Sequence, residues 1–152
     1  MEFLQYFSNV FTFGNLIILI LGTIGGLLLG AAPGLSPTMA VALLIPFTFK
    51  MSPDQGLIML GAVYTATVAG GAISAILLKI PGAPANIATV MDGYPMARSN
   101  RSKEALHYCF ISSFVGGIIG IAVLIFFTPL LADFALNFGP SQMFWIAIFG
   151  VT

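Results

Sequence analysis

The chain has 152 residues, 59% of them apolar and 7% charged, with a mean hydropathy of +1.05 and a formal net charge of zero. A water-facing globular domain carries roughly a quarter charged residues, so this composition excludes one and makes the bilayer the solvent. Zero net charge gives no reason to expect a nucleic acid, and a single cysteine, Cys109, excludes an internal disulfide.

The N-terminus does not read as a cleaved signal peptide, because Glu2 stands where a basic residue is needed and no cleavage site follows. Residues 1–13 place Phe3, Leu4, Phe7, Val10 and Phe11 on one stripe, which predicts an interfacial helix or a helical lead-in to the first span. A span of about 20 apolar residues crosses the hydrocarbon. The first candidate runs from Asn15 to Ala32 and ends at Pro33-Gly34-Leu35-Ser36-Pro37. Helix is predicted to resume near Thr38 and to reach Phe49, enough for only about half the bilayer. Lys50 to Asp54 is a loop, with Ser52 as cap and Pro53 at the first helical position.

A second span is predicted from Gln55 to Leu78, rich in small residues that let backbones approach in lipid. Pro81-Gly82-Ala83-Pro84-Ala85-Asn86 breaks it. A short run, Ile87 to Met91, follows before Asp92-Gly93-Tyr94-Pro95 is expected to turn the chain out of the membrane. Residues 92–104 then form a loop with Asp92, Arg98, Arg101, Lys103 and Glu104, half of the chain's charges. Its basic excess predicts the cytoplasmic side. A third span is predicted from Ala105 to Leu131, an outer connection from Asp133 to Pro140, and a fourth apolar run capped by Ser141. That run is still apolar where the sequence stops, so a longer parent protein is expected.

The expected fold is therefore an all-α membrane protein whose transmembrane helices are interrupted by Pro-Gly-broken or re-entrant half-helices. Proline removes a backbone donor and clashes with the preceding turn. Unwound backbone at membrane depth is tolerated only where protein or a wet cavity covers it. Half-helices of this kind aim positive N-terminal ends at anions, while freed carbonyls hold Na⁺. The predicted substrate- or ion-binding groups are Pro33, Gly34, Leu35, Ser36, Pro37 and Thr38 at the first break. At the second they are Lys79, Pro81, Gly82, Pro84, Asn86 and Thr89, with the backbone of Gly34 and Gly82 as candidates for Na⁺. Lys79 either attracts a carboxylate or snorkels to the headgroups.

Enzymatic chemistry has no support: the sequence holds no His-carboxylate cluster, no Ser-His-Asp set, no Cys-x-x-Cys and no P-loop lysine. The lone His107 beside a charged loop reads as interfacial. A metal centre and an organic cofactor are not expected. The alternative to transport is a membrane scaffold or assembly subunit, motivated by the Gly-rich spans.

Three motifs, Gly30-Ala31-Ala32-Pro33-Gly34-Leu35-Ser36-Pro37, Ile80-Pro81-Gly82-Ala83-Pro84 and Asp92-Gly93-Tyr94-Pro95-Met96-Ala97, occur in that order. With Ser113 to Gly117 and Phe138 to Pro140 they resemble the large membrane subunit of the tripartite tricarboxylate transporters. The resemblance covers nearly all of residues 1–152, which would form the N-terminal part of a single polytopic transporter domain. It implies a multi-pass protein of the bacterial inner membrane that takes up tricarboxylates or related carboxylates, with Na⁺ or H⁺ as coupling ion. It also implies two protein partners, a small membrane subunit and a periplasmic solute-binding protein. The family's functional motifs fall on Pro33 to Pro37 and on Pro81 to Asn86. At Lys79 the resemblance leads one to expect a neutral polar residue, which bears on substrate preference.

Overall fold

In the computed structural model, which describes residues 10–136, 139, 142, 144–145 and 148–149, the helices follow the apolar runs and end where proline or a left-handed residue stops them. Side chains of residues 133–136 fall outside this description. Helix α1 is Phe13–Ala31, α2 is Pro37–Thr48, α3 is Pro53–Leu78, α4 is Ile87–Arg98 and α5 is Ser102–Leu136, with a 3₁₀ turn at Pro84–Asn86. No strand occurs among the described residues. Among the described residues three helices, α1, α3 and α5, are long and apolar enough to cross a membrane. At 1.5 Å per residue, α2 and α4 each reach only about 18 Å. The fold class expected above is the one observed. Residues 1–9 and Ser141 lie outside the described residues, and so do the predicted interfacial helix over most of its length and the cap of the fourth run.

Local chemistry explains the boundaries. Ser36 caps α2 by accepting a hydrogen bond from the Met39 amide at 3.3 Å, and Pro37 takes the first helical position. Ser52 caps α3 in the same way, accepting from Gln55, with Pro53 next. At the other end of α3, Lys79 adopts a left-handed conformation (φ 62°). Its amide donates to Ala75 O and the Ile80 amide donates to Ser74 O, a six-to-one closure that satisfies the last carbonyls.

Two expectations need correction. Asp92-Gly93-Tyr94-Pro95 does not turn the chain outward; it lies within α4, which continues to Arg98. Gly93 packs so tightly that an added Cβ would meet Ile76 Cγ1 at 2.7 Å, and this contact holds the helix through a sequence that reads as a turn. Helix α4 stops instead at Asn100, left-handed at φ 61°, where amides 99–101 close onto the carbonyls of Pro95, Met96 and Ala97. The expected loop 92–104 is thus reduced to Ser99–Arg101. Its Arg101 guanidinium binds Glu104 at 2.6 Å, and this hydrogen bond holds Arg101 more firmly protonated than usual. The expected outer connection is likewise shortened, since α5 runs through Asp133 to Leu136.

The chain divides into two units, Met1–Ile111 and Ser112–Thr152. In the second, the α5 residues from Ser112 to Ala132 are exposed and mostly apolar, the surface a lipid-immersed helix presents. In the first, α1 and α3 form the core. Gly22, Gly26 and Gly30 recur every four residues and are buried. A Cβ at Gly22 would meet Ala62 at 3.0 Å, and one at Gly26 would meet Val63 O at 2.7 Å and Ala66 Cβ at 2.8 Å. At Gly30 it would collide with the backbone of Thr67. Rising numbers on α1 meet rising numbers on α3, so the two helices run parallel.

Parallel neighbours require the chain to return between them, and α2 is the return. It begins near the level of Gly70 and ends with Thr48 beside Gly56, where a Cβ would stand 3.5 Å from Thr48 Cβ. Helices α1 and α2 therefore enter and leave at the same end of α3. The second break makes the opposite excursion. After Lys79 the chain dips back about 12 Å along α3, to place Gly82 against Gly71 and Asn86 against Val68 O. Helix α4 then climbs parallel to α3, passing Ile76 at Gly93 and reaching Lys79 at Tyr94. At both breaks the chain doubles back along α3, once from each end.

Candidate functional site at the meeting of two hairpin tips

The two hairpin tips touch. A Cβ at Gly82, in the second break, would stand 3.0 Å from Gly71 Cα, 3.4 Å from Gly30 O and 3.5 Å from Leu35 O. Four segments therefore converge within one residue's width: the end of α1, the first break, the middle of α3 and the second break. Side chains are excluded there because the backbones themselves are in contact. Gly34 has a different role: its φ of 90° makes the tight turn, and nothing lies within 4 Å of where its Cβ would be.

Polar groups gather around this contact. Asn86 is buried, and its Nδ2 donates to Val68 O at 3.0 Å, pinning the second tip to α3. Gly30 O and Leu35 O accept no backbone hydrogen bond among the described residues, as expected of carbonyls in the last turn of a helix and in the break after it. Thr67, against which Gly30 packs, is 1% exposed, and its Oγ1 has no hydrogen-bond partner among the described residues. Leaving such a hydroxyl unpaired costs about 1–3 kcal/mol. Both α2 and α4 start at the contact and run away from it, so their N-terminal ends, each equivalent to roughly half a positive charge, face it from opposite sides.

The sequence-predicted residues divide accordingly. Leu35, Gly82 and Asn86 are brought together. Ser36 and Thr38 lie next to them at the start of α2, their hydroxyls 3.3 Å apart. Pro37 is buried behind the tip, while Pro33, Gly34, Pro81 and Pro84 are exposed around it. Thr89 lies one turn into α4 and is half-buried. Lys79 is not at the tips: its ammonium lies 5.6 Å from the centroid of the Tyr94 ring, across the neck of the second hairpin, within cation–π range. Gly30, Thr67, Gly71 and Tyr94 are not among the binding groups expected from the sequence. The Gly70-Gly71 doublet midway along a span was the one signal that could have marked α3 as the place where the breaks dock.

A second concavity, an open apolar groove of about 410 Å³, lies between α1 and α3, lined by Leu19, Thr23, Leu27, Ala66, Ala69 and Phe110 among others. It includes no residue of either break. The Thr23 and Thr65 hydroxyls beside it donate back to Leu19 O and Gly61 O of their own helices. With its hydroxyls so engaged, the groove has little to recognise a polar solute, and the tips remain the candidate site. No group of three or more His, Cys, Asp or Glu side chains suited to a metal ion occurs among the described residues.

Comparison with known proteins identifies the family. The tripartite tricarboxylate transporter TctA family matches over residues 16–152. A curated relative from Agrobacterium vitis, described as an uncharacterized 52.8 kDa protein in the TAR-I ttuC' 3' region, is 37% identical over 145 residues. The match covers 95% of this chain and 29% of that relative, so the chain spans less than a third of the relative's length. No solved structure matches. The chain is a membrane protein with three candidate spans among the described residues, and it belongs to the tripartite tricarboxylate transporter TctA family.

Proposed function

We propose that the chain is part of the membrane-embedded subunit of a binding-protein-dependent secondary transporter, one whose uptake of tricarboxylates or related carboxylates is driven by an ion gradient. One observation carries this reading: the N-terminal ends of α2 and α4 converge on the Gly71–Gly82 contact. Two such ends favour an anion, and uncharged donors from Ser36, Thr38 and the freed amides can bind carboxylate oxygens without holding them too tightly for release. Na⁺ or H⁺ is the coupling ion, and the partners are a small membrane subunit and a periplasmic solute-binding protein. The membrane is the bacterial inner membrane, with Arg98, Arg101 and Lys103 on the cytoplasmic side by their positive charge. Lys50 and the Ser52 cap then face the periplasm.

The scaffold alternative rested on the Gly-rich spans. Gly22, Gly26, Gly30 and Gly70 are used within the chain, α1 against α3, which weakens that motive. Uptake of labelled citrate into vesicles holding the complete three-component system tests the transport reading. Accumulation that collapses with the Na⁺ or proton gradient is expected. Accumulation that survives loss of both gradients refutes ion coupling, and no uptake of any di- or tricarboxylate refutes the substrate class.

A further inference from the structure

The geometry points to a binding site for an anionic phospholipid on the exposed face of α4, its head at Lys79 and Arg98 and one acyl chain along Ile87 and Met91. The site is separate from the hairpin tips and does not rest on the transport reading. Ile87, Met91, Tyr94 and Arg98 follow one another at helical spacings that place all four within about 60° of one face. Ile87 and Met91 are more than half exposed, and Arg98 is exposed as well. Along that stripe the character changes from apolar to aromatic to basic. The ammonium of Lys79 lies 5.6 Å from the centroid of the Tyr94 ring, and Arg98 stands one turn beyond Tyr94 on the same helix. One tyrosine is thus flanked by cations from the ends of two helices. Neither cation has an ion pair among the described residues: Glu104 is taken by Arg101, and Asp92 lies on the opposite side of α4 from Tyr94.

The depth of the stripe matches one leaflet. Helix α4 starts where Asn86 meets Val68 O, near the middle of α3, and from Ile87 to Arg98 it climbs about 16 Å. Half of the hydrocarbon core is about 15 Å, so Ile87 stands near the bilayer centre and Arg98 among the headgroups. A soluble anion can use the two cations but not the apolar stripe beneath them. A ligand with a charged head and a hydrocarbon tail fills both, and the bilayer presents one beside the helix. A zwitterionic lipid carries its own ammonium group, which opposes Lys79 and Arg98, so an anionic glycerophospholipid is favoured. On the side proposed above this is the cytoplasmic leaflet, whose anionic lipids attract basic groups. A lipid held here ties the end of α3 to the end of α4 and so braces the neck of the second hairpin.

The test uses the full-length protein purified in detergent and stripped of lipid, with binding of phosphatidylglycerol or phosphatidylcholine read by native mass spectrometry. Phosphatidylglycerol is expected to bind more tightly, with an affinity that falls as salt screens the two cations. Each Lys or Arg near a headgroup contributes a factor of about five. Lys79→Gln and Arg98→Gln should therefore each weaken phosphatidylglycerol about fivefold and leave phosphatidylcholine unchanged. Lys50→Gln removes the same charge beyond the other end of α3 and should have no effect. Equal binding of the two lipids by the unmodified protein overturns the proposal. So does phosphatidylglycerol binding that is indifferent to Lys79→Gln and Arg98→Gln, or a loss in Lys50→Gln as large as theirs, which is what diffuse attraction gives. Displacement of phosphatidylglycerol by inorganic phosphate or citrate overturns it too, because the cations then serve a soluble anion. If a variant fails to fold, the comparison of the two lipids on the unmodified protein still decides. No uptake is measured, so these outcomes are separable from failure of the transport reading.

Discussion

Replacing Gly70 by alanine puts the packing argument to a quantitative test. The added methyl would lie 2.5 Å from Leu27 O, 2.9 Å from Ala31 N and 3.0 Å from Gly30 C, whereas ordinary contact begins near 3.4 Å. All three neighbours are backbone atoms, so no rotamer change relieves the clash, and α1 must retreat by about 1 Å across its last turn. Overpacking of this kind costs about 1–3 kcal/mol, and the rigid neighbours put it at the upper end. Alanine's better helix propensity returns up to about 1 kcal/mol. The net loss is therefore about 2 kcal/mol, or roughly thirtyfold in the folding equilibrium. Gly25→Ala is the matched control, because nothing lies within 4 Å of its Cβ, and it should be neutral or stabilising. Denaturant titration of both variants in mixed micelles reads the difference. Equal stability of Gly70→Ala and Gly25→Ala would refute the close parallel packing of α1 on α3.

Other substitutions probe the hairpins. Asn86→Ala removes the bond to Val68 O and should destabilise by about 1 kcal/mol. Asn86→Asp, which sets a carboxylate against that carbonyl, should cost more, and thermal melts rank the two. At Lys79, alanine loses the contact with Tyr94, about 0.5–1 kcal/mol, and keeps the left-handed strain. Glycine loses the contact but relieves the strain, so Lys79→Gly should melt near the unmodified protein and above Lys79→Ala. In a Cys109→Ala background, cysteines at Ser52 and Ser99 should react with impermeant thiol reagents from opposite sides of a vesicle, because α3 separates them. Modification from one side only would mean that α3 does not cross.

The two breaks were legible in the sequence because each combines a lost donor, a clash and a flexible residue, and no packing can restore a helix through Pro33-Gly34 or Pro81-Gly82. The long spans were legible from hydropathy and length. The path between them was not. Whether α2 returns or crosses depends on Gly30 meeting Thr67 and Thr48 meeting Gly56, contacts between residues distant in sequence that leave no local periodicity. The end of α4 was missed for a related reason: Gly93 and Pro95 read as a turn, but the fit of Gly93 to Ile76 outweighs local preference. At the site, polar residues beside the prolines were visible. Thr67 was hidden as one small residue among many in α3, and its significance lies only in what it fails to bond.

The parallel course of α1 and α3 also has a consequence for how the protein is made. The ribosome delivers α1, the first break and α2 before α3 exists, yet Gly26 and Gly30 find their packing partners on α3. Until then the first hairpin holds bare peptide groups that lipid cannot solvate. Its two limbs must wait at the insertion machinery, or at the membrane surface, until some 26 further residues have been translated, and then enter together with α3. The first three helices are thus a single unit of insertion, not three successive ones.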